Sequence, residues 1–226
     1  MSDVDPAGAV DVVPAMTVDI VSDVVCPWCY IGKRRLEAAL AAREGPSPVI
    51  RWLPFQLNPG IPAGGVDRRS YLEEKFGGPE RAREIYARVE AAGRDVGIPF
   101  RFEKIDRQPN TSDAHRLIAW AQAVAPASAD RLVERLFQAY FTEGVDLGVV
   151  GELVRLAGES GCDPDAARAH LESAAGRSEM AEADARMKSM GIGGVPFFIF
   201  NRRVAVSGAQ PPAVLADALA QAEQAT

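Results

Sequence analysis

The sequence predicts an α/β fold, a mixed sheet flanked by helices with an all-α helical domain inserted into it. Two observations carry this. Short β-branched and apolar runs lie near both ends of the 226-residue chain, and the long middle is rich in Ala, Arg, Glu and Leu. The chain begins strand, helix, strand and ends strand, strand, helix, so the simplest architecture joins the two ends into one sheet and leaves the middle as a lid or second lobe.

The elements follow in order. Residues 1–16 hold Asp3, Asp5 and Asp11 with Pro6, Gly8 and Pro14 but no Lys or Arg. They read as a flexible tail without the basic region that opens a secretory signal. Residues 17–25, TVDIVSDVV, are short and β-branched and read as a strand that runs into Cys26. In the following PWCYIGKRRLEAALAARE, Pro27 suits a first helical turn and Leu36 and Leu40 lie one turn apart; Gly45 and Pro46 then stop the helix. A second strand is expected over 49–57, with Pro54 limiting its ladder. Residues 17–65 thus form the first part of the sheet domain. The inserted helical domain spans 66–187, with helices expected near 70–76, 80–92, 112–124, 130–140, 149–158 and 178–190. Residues 188–226 complete the sheet domain. There VPFFIF and RVAV flank a turn at Asn201 and Arg202, and SGAQPP leads into an amphipathic VLADALAQA with Pro212 near its first turn.

Composition narrows the function classes. With 47% hydrophobic and 25% charged residues the chain is an ordinary globular protein, and its net charge of −6 repels phosphate backbones and anionic bilayers. Nucleic acid and membrane are not expected as partners. No apolar run approaches the roughly 18 residues that cross a bilayer, and a cytoplasmic location is expected. Three cysteines are too few for a disulfide scaffold, but Cys26 and Cys29 form a CxxC pair.

That pair sits at a predicted strand-to-helix junction. There the first sulfur meets the positive end of the helix dipole, which favours a thiolate, while the second lies one turn inside. Cys26 is the expected nucleophile and Cys29 the resolving thiol. Pro27 stiffens the turn, and Trp28 offers an apolar rim for substrate. A half zinc site or two inert thiols are the competing readings, with Cys162, His115 and His170 as the remaining zinc donors. No metal and no organic cofactor are expected. In GIGGVPFFIF, Pro196 after Gly193, Gly194 and Val195 marks a tight strand entry, compatible with a cis Val195–Pro196 bond or an ordinary trans one.

Taken together, CPWC after a strand, an inserted helical block and GVP before the last hairpin resemble the DsbA-like branch of the thioredoxin superfamily. The longer stretches VVCPWCYIGKRR, NTSDAHRL, FQAYFTEG and GVPFFIFNRRVAVSGAQPP resemble its FrnE-type, largely cytoplasmic oxidoreductases. The resemblance implies a thioredoxin-like fold, catalysis by Cys26 and Cys29, and Pro196 in cis beside both sulfurs. It also implies that the backbone at Gly194 and Val195 pairs with an extended substrate. Where DsbA has Pro-His between its cysteines this chain has Pro-Trp, so its disulfide is expected to be less oxidising, favouring reduction or isomerisation. The expected partners are a disulfide-containing protein or small molecule, and glutathione or a thioredoxin-type reductant. Two other functions fit the same residues: a glutathione-dependent isomerase or transferase of the superfamily, and a holdase-like binding module.

Four further features carry two readings each. Asp23 is placed to relay the proton of Cys29, or is a polar strand end. His115 and Arg116, after the capping candidates Thr111 and Ser112, reach the active-site face by resemblance, or are structural or surface residues. Lys33, Arg34 and Arg35 read as a solvated helix face able to attract an acidic substrate. Cys162 reads as a spare thiol in an inter-helix turn, or as a thiol with a catalytic role.

Overall fold

The computed structural model describes residues 16–224. The expected tail lies outside the described residues except for Met16, which is buried at the edge of the core. In chain order the elements are β1 (Thr17–Ser22), α1 (Pro27–Ala41), β2 (Val49–Pro54), β3 (Val66–Asp67), α2 (Arg68–Phe76) and α3 (Pro79–Arg94). There follow β4 (Arg107–Gln108), α4 (Ser112–Val124), α5 (Pro126–Gln138), α6 (Val150–Glu159), α7 (Pro164–Glu172) and α8 (Arg177–Ser189). The chain closes with β5 (Phe197–Phe200), β6 (Val204–Ser207) and α9 (Pro212–Gln224).

The sheet is mixed, in the order β2-β1-β5-β6. β1 runs parallel to β2, with Ile20 opposite Trp52, and antiparallel to β5, with Ile20 opposite Phe198. A central strand is covered on both faces, which is why residues 18–22 are all buried and the run is β-branched rather than cleanly alternating. β1 ends at Ser22, three residues short of the predicted limit, because the Cys26 N–H bonds to the Asp23 carbonyl at 3.0 Å and turns the chain into α1. The β5–β6 hairpin closes through Asn201 and Arg202, at φ 47° and 58°. Those left-handed conformations match the twist of the flanking strands.

α1 packs on α9 and α3, and α4 and α8 pack against β2. One hydrophobic core runs from Val18, Ile20 and Phe198 in the sheet through Tyr30 on α1 to Phe137, Phe141 and Leu153 in the insert. Tyr30 stacks on Phe137 with ring centroids 5.1 Å apart, so the helix that carries the cysteines is gripped by the insert. α7 is absent from the sequence reading. It is short, and starts at Asp163, whose carboxylate accepts the N–H groups of Asp165 and Ala166, with Pro164 in its first turn. α5 begins four residues before its predicted start, at Pro126, and passes into a wider π-type turn over Ala139–Glu143 that stops at Gly144, φ 79°. Among the described residues no helix is long and apolar enough to cross a membrane.

Candidate active site

Cys26 is the N-cap of α1 and Pro27 opens the helix. The sulfur makes no capping hydrogen bond; the Cys26 thiol instead donates to the Val195 carbonyl at 3.6 Å, across 169 residues of sequence. Val195 precedes a cis peptide bond to Pro196. The two sheet halves therefore meet at this sulfur. Gly32, one turn beyond Cys29, makes the approach possible: a Cβ there would stand 2.8 Å from Pro196 Cγ and 3.1 Å from Phe198 Cζ. The sequence reading passed over Gly32, although a glycine inside a predicted helix is itself a signal of close packing.

Cys26 is 4% exposed, less open than a freely solvated nucleophile. Access is through a cavity of about 270 Å³ that it lines together with Trp28, Gly194, Val195, Tyr71 and Tyr86. Trp28, 37% exposed, stands at the rim as expected, and Gly193 and Gly194 border open space in which a Cβ would meet nothing. α2 and α3 of the insert roof the cavity with Leu72, Phe76 and Val89. Lys75, exposed on α2, is the cation at its lining and bonds to Tyr71 Oη at 2.9 Å.

Cys29 is 2% exposed. Burial pushes its thiol well up from the usual value; the hydrogen bond and charge of Cys26 add to this, while the Ser22 hydroxyl and the Asp23 N–H pull the other way. The two sulfurs are not bonded to one another. A first sulfur that is buried but borders a cavity, and a protonated second one behind it, form an arrangement suited to a two-step thiol exchange.

Asp23 lies in the wall behind the cysteines, 1% exposed, and its Oδ2 accepts the Leu57 N–H at 2.9 Å. His115 does not reach the substrate cavity. It is 4% exposed on α4, with Nε2 3.4 Å from Asp23 Oδ1, so it contacts the site from beneath rather than from the substrate side. Asn110, not Thr111 or Ser112, provides the side-chain cap of α4, accepting the Ser112 N–H at 2.9 Å. Arg116 is structural: it donates to the carbonyls of His170, Leu171, Ser173 and Ala175, tying off the end of α7, and pairs with Asp113 at 2.6 Å.

The basic run on α1 is not a solvated face. Lys33 is buried, paired with Glu37 and lying 3.2 Å from both Asp130 and Glu134 on α5, and Arg34 pairs with Glu37 and Glu134. Burial alone would lower the Lys33 ammonium, but the charges of Asp130, Glu37 and Glu134 outweigh it and hold it above its usual value. Arg35 bonds to the Ala209 carbonyl. Glu37 is a local partner on α1, but the others lie on α5 and in the loop before α9, and no local pattern in α1 reveals them. Cys162 is buried, and burial raises its thiol. Among the described residues no three His, Cys, Asp or Glu side chains cluster as metal ligands.

Comparison with known proteins agrees with this geometry. A probable DsbA oxidoreductase from Streptomyces coelicolor is 32% identical and superposes with a TM-score of 0.83 over 93% of this chain and 91% of its own. The cytosolic disulfide reductase DsbM from Pseudomonas aeruginosa shares the fold at 19% identity, with a TM-score of 0.65 over 93% of this chain and 100% of its own. The uncharacterized protein YwbO of Bacillus subtilis (strain 168) is 26% identical over 156 residues, 69% of this chain and 72% of that protein. The model of the DSBA-like thioredoxin domain matches residues 17–220, and with its sheet, helical insert and Cys26–Val195 contact the chain belongs to that family.

Proposed function

We propose that the protein is a cytoplasmic thiol–disulfide oxidoreductase that reduces or isomerises disulfides with Cys26 and Cys29. It uses no metal or organic cofactor beyond this dithiol. One observation carries the reading: at the helix start, the Cys26 sulfur faces both the Val195 carbonyl, at 3.6 Å, and a cavity that opens to solvent, while Cys29 is sealed one turn behind. Cys26 as thiolate attacks one sulfur of a substrate disulfide, and the other sulfur leaves as a thiolate. Cys29 then attacks Cys26, the substrate sulfur departs with the bonding pair, and a Cys26–Cys29 disulfide remains. Glutathione or a thioredoxin-type dithiol returns the two electrons.

The cavity sets the substrate size. At about 270 Å³ it lies just below the roughly 300–1,000 Å³ of ordinary ligand pockets. It accepts a low-molecular-weight disulfide or one extended segment of protein, not a folded surface. Gly194 and Val195 offer backbone to such a segment, Trp28 offers an apolar wall, and Lys75 offers a charge for a carboxylate. The reading agrees in kind with the cytosolic reductase DsbM, one structure of which holds GSH.

Trapping tests it. Cys29→Ala protein should accumulate a covalent adduct on Cys26, seen by intact mass, and Cys26→Ser protein should lose disulfide turnover by more than a thousandfold. Full turnover by Cys29→Ala with glutathione would transfer the assignment to a glutathione-dependent isomerase or transferase. Suppression of aggregation by Cys26→Ser protein, with no turnover in the wild type, would make it a holdase.

A further inference from the structure

Arg68 opens α2 and is 3% exposed. Its guanidinium donates to Gln108 Oε1 at 2.9 Å, to Tyr140 Oη at 2.7 Å and to Tyr86 Oη at 2.9 Å, and it lies over both tyrosine rings. All three partners are neutral. A buried cation loses its hydration, and neutral acceptors offset less of that loss than a carboxylate does. The carboxylates around it are engaged elsewhere. Asp67, next in the chain, caps α2 through the Ser70 N–H, and Asp146, whose charge reaches Tyr140, accepts the Gly148 N–H.

Two of the three partners, Gln108 and Tyr86, also line the substrate cavity, and Arg68 orients both. An arginine only donates, so the Gln108 group that faces it is the amide oxygen, which also accepts the Tyr140 hydroxyl at 3.3 Å. The amide NH2 of Gln108 therefore turns away from Arg68. The residue is 4% exposed, yet this nitrogen is not among the sealed, unpartnered atoms, and it faces the cavity that Gln108 lines. Tyr86 Oη accepts from Arg68, which leaves its own proton for another acceptor. Burial raises the Tyr86 hydroxyl, the Arg68 charge opposes this and the charge of Cys26 adds to it, so the group is a donor within electrostatic reach of the reacting sulfur. Asp23, the one carboxylate in the cavity lining, is 1% exposed and turns its oxygens to the Leu57 N–H and to His115. The insert-side wall thus presents donors backed by a cation that has no carboxylate of its own.

We propose that Arg68 is a positioning residue for substrate: through Gln108 Nε2 and the Tyr86 hydroxyl it holds a carboxylate on this wall while the attached sulfur meets Cys26. The substrate class is a low-molecular-weight disulfide whose carboxylate stands a few bonds from its sulfur, because a cavity of about 270 Å³ has to hold both groups. This rests on the redox reading above and narrows it. Lys75 is exposed and attracts an anion from a distance, whereas the buried wall selects it at contact. Salt screens the first attraction and leaves most of the second.

The test mixes reduced protein with 3,3′-dithiodipropionate or with its neutral diamide and follows the loss of protein thiols by acid quench, alkylation and intact mass. Each rate is divided by that of dithiothreitol with the same disulfide, which removes the intrinsic reactivity of the two reagents. Wild type should favour the dicarboxylate by at least about tenfold, and the preference should persist within about twofold at about 0.5 M sodium chloride. Gln108→Glu gives Arg68 a carboxylate of the protein, which preserves the fold while removing the donor, and the preference should fall below one. Tyr86→Phe should lower it by about threefold or more. No preference in the wild type, its loss in salt, or an unchanged ratio in Gln108→Glu would each overturn the proposal. So would an Asp-over-Asn preference in disulfide-linked peptides as large as that of the small pair, which would place the carboxylate on a protein segment. A merely structural role for Arg68 would move both rates together and leave the ratio alone. Failure of both disulfides to oxidise the wild type would sink the redox reading, and this proposal with it; oxidation by both at equal normalised rates sinks the proposal alone.

Discussion

His115 and Arg116 are neighbours on α4, both buried, yet the two regions they enter are built oppositely. Arg116 enters a socket of carbonyls at the end of α7, and both of its terminal nitrogens and Nε have acceptors. His115 enters the wall behind Cys29, where its Nε2, the facing carboxylate oxygen and the Ser22 hydroxyl all go unpaired. A saturated cation stabilises the fold, because its full set of bonds offsets the desolvation of the charge. An unsaturated cluster lowers stability. The difference separates a side chain whose burial is offset by its bonds from one whose burial is not, on adjacent positions of one helix.

The largest expected effect on stability tests the first half of that contrast. Arg116→Met should strip the acceptors at the end of α7 and leave Asp113 with only the more distant Arg177, at 3.9 Å. The expected loss is about 3–5 kcal/mol by urea unfolding, with the turnover of the folded fraction unchanged. A loss below about 1 kcal/mol would mean that the socket is not a stabilising element.

A smaller effect is expected at the seam between α1 and β5. Gly32→Ala gains about 1 kcal/mol of helix propensity, but overpacking against Pro196 and Phe198 costs about 1–3 kcal/mol. The rigid proline ring, 2.8 Å from the added methyl, decides the sign. A net loss of about 1 kcal/mol is expected by thermal unfolding, accompanied by slower attack of Cys26 on a disulfide substrate. A stabilised protein with unaltered kinetics would show that α1 can slide away from Pro196 freely.

The smallest effect belongs to the ion cluster of Lys33, Arg34, Glu37, Asp130 and Glu134, which is intermediate between the two regions because its carboxylates are partly solvated. Burial would raise the Glu37 carboxyl, but the hydrogen bonds and charges of Lys33 and Arg34 outweigh it and leave it below its usual value. A depressed carboxyl contributes stability above its unfolded value, about 4.3, and that contribution is lost as pH falls through the folded value. Urea midpoints should therefore drop below about pH 4, and Glu37→Gln should flatten that drop by less than about 1 kcal/mol. Lys33, raised, contributes in the opposite sense: its share is present below about 10.4 and is lost at more alkaline pH, as the folded value is passed.

Much of the site was legible because its signals are local. Pro27 before Leu36 and Leu40 marks a helix start, CPWC places two thiols on that start, and Asn201-Arg202 between apolar runs marks the hairpin. The rest depended on pairing over long sequence distances. Lys33 reads as a surface cation because it opens the basic run Lys33-Arg34-Arg35, while its partners on α5 lie about a hundred positions on. His115 gave no sign of facing Asp23. Nothing in α1 predicted that the cavity roof would bury Cys26, and the missed α7 is short, with its start signal at Asp163-Pro164 read as a turn.

By itself the sequence determined which atoms could do chemistry and on which local element each stands: a sulfur at a helix start, another one turn in, a proline at a strand entry. These follow from backbone sterics, capping and hydrophobic period, which act over a few residues. Tertiary structure alone decided which of those atoms are sealed, paired or left without partners. Desolvation and hydrogen bonding depend on what packs from elsewhere in the chain, and here that is α2, α3, α4 and α5 of the insert closing over and under the two cysteines.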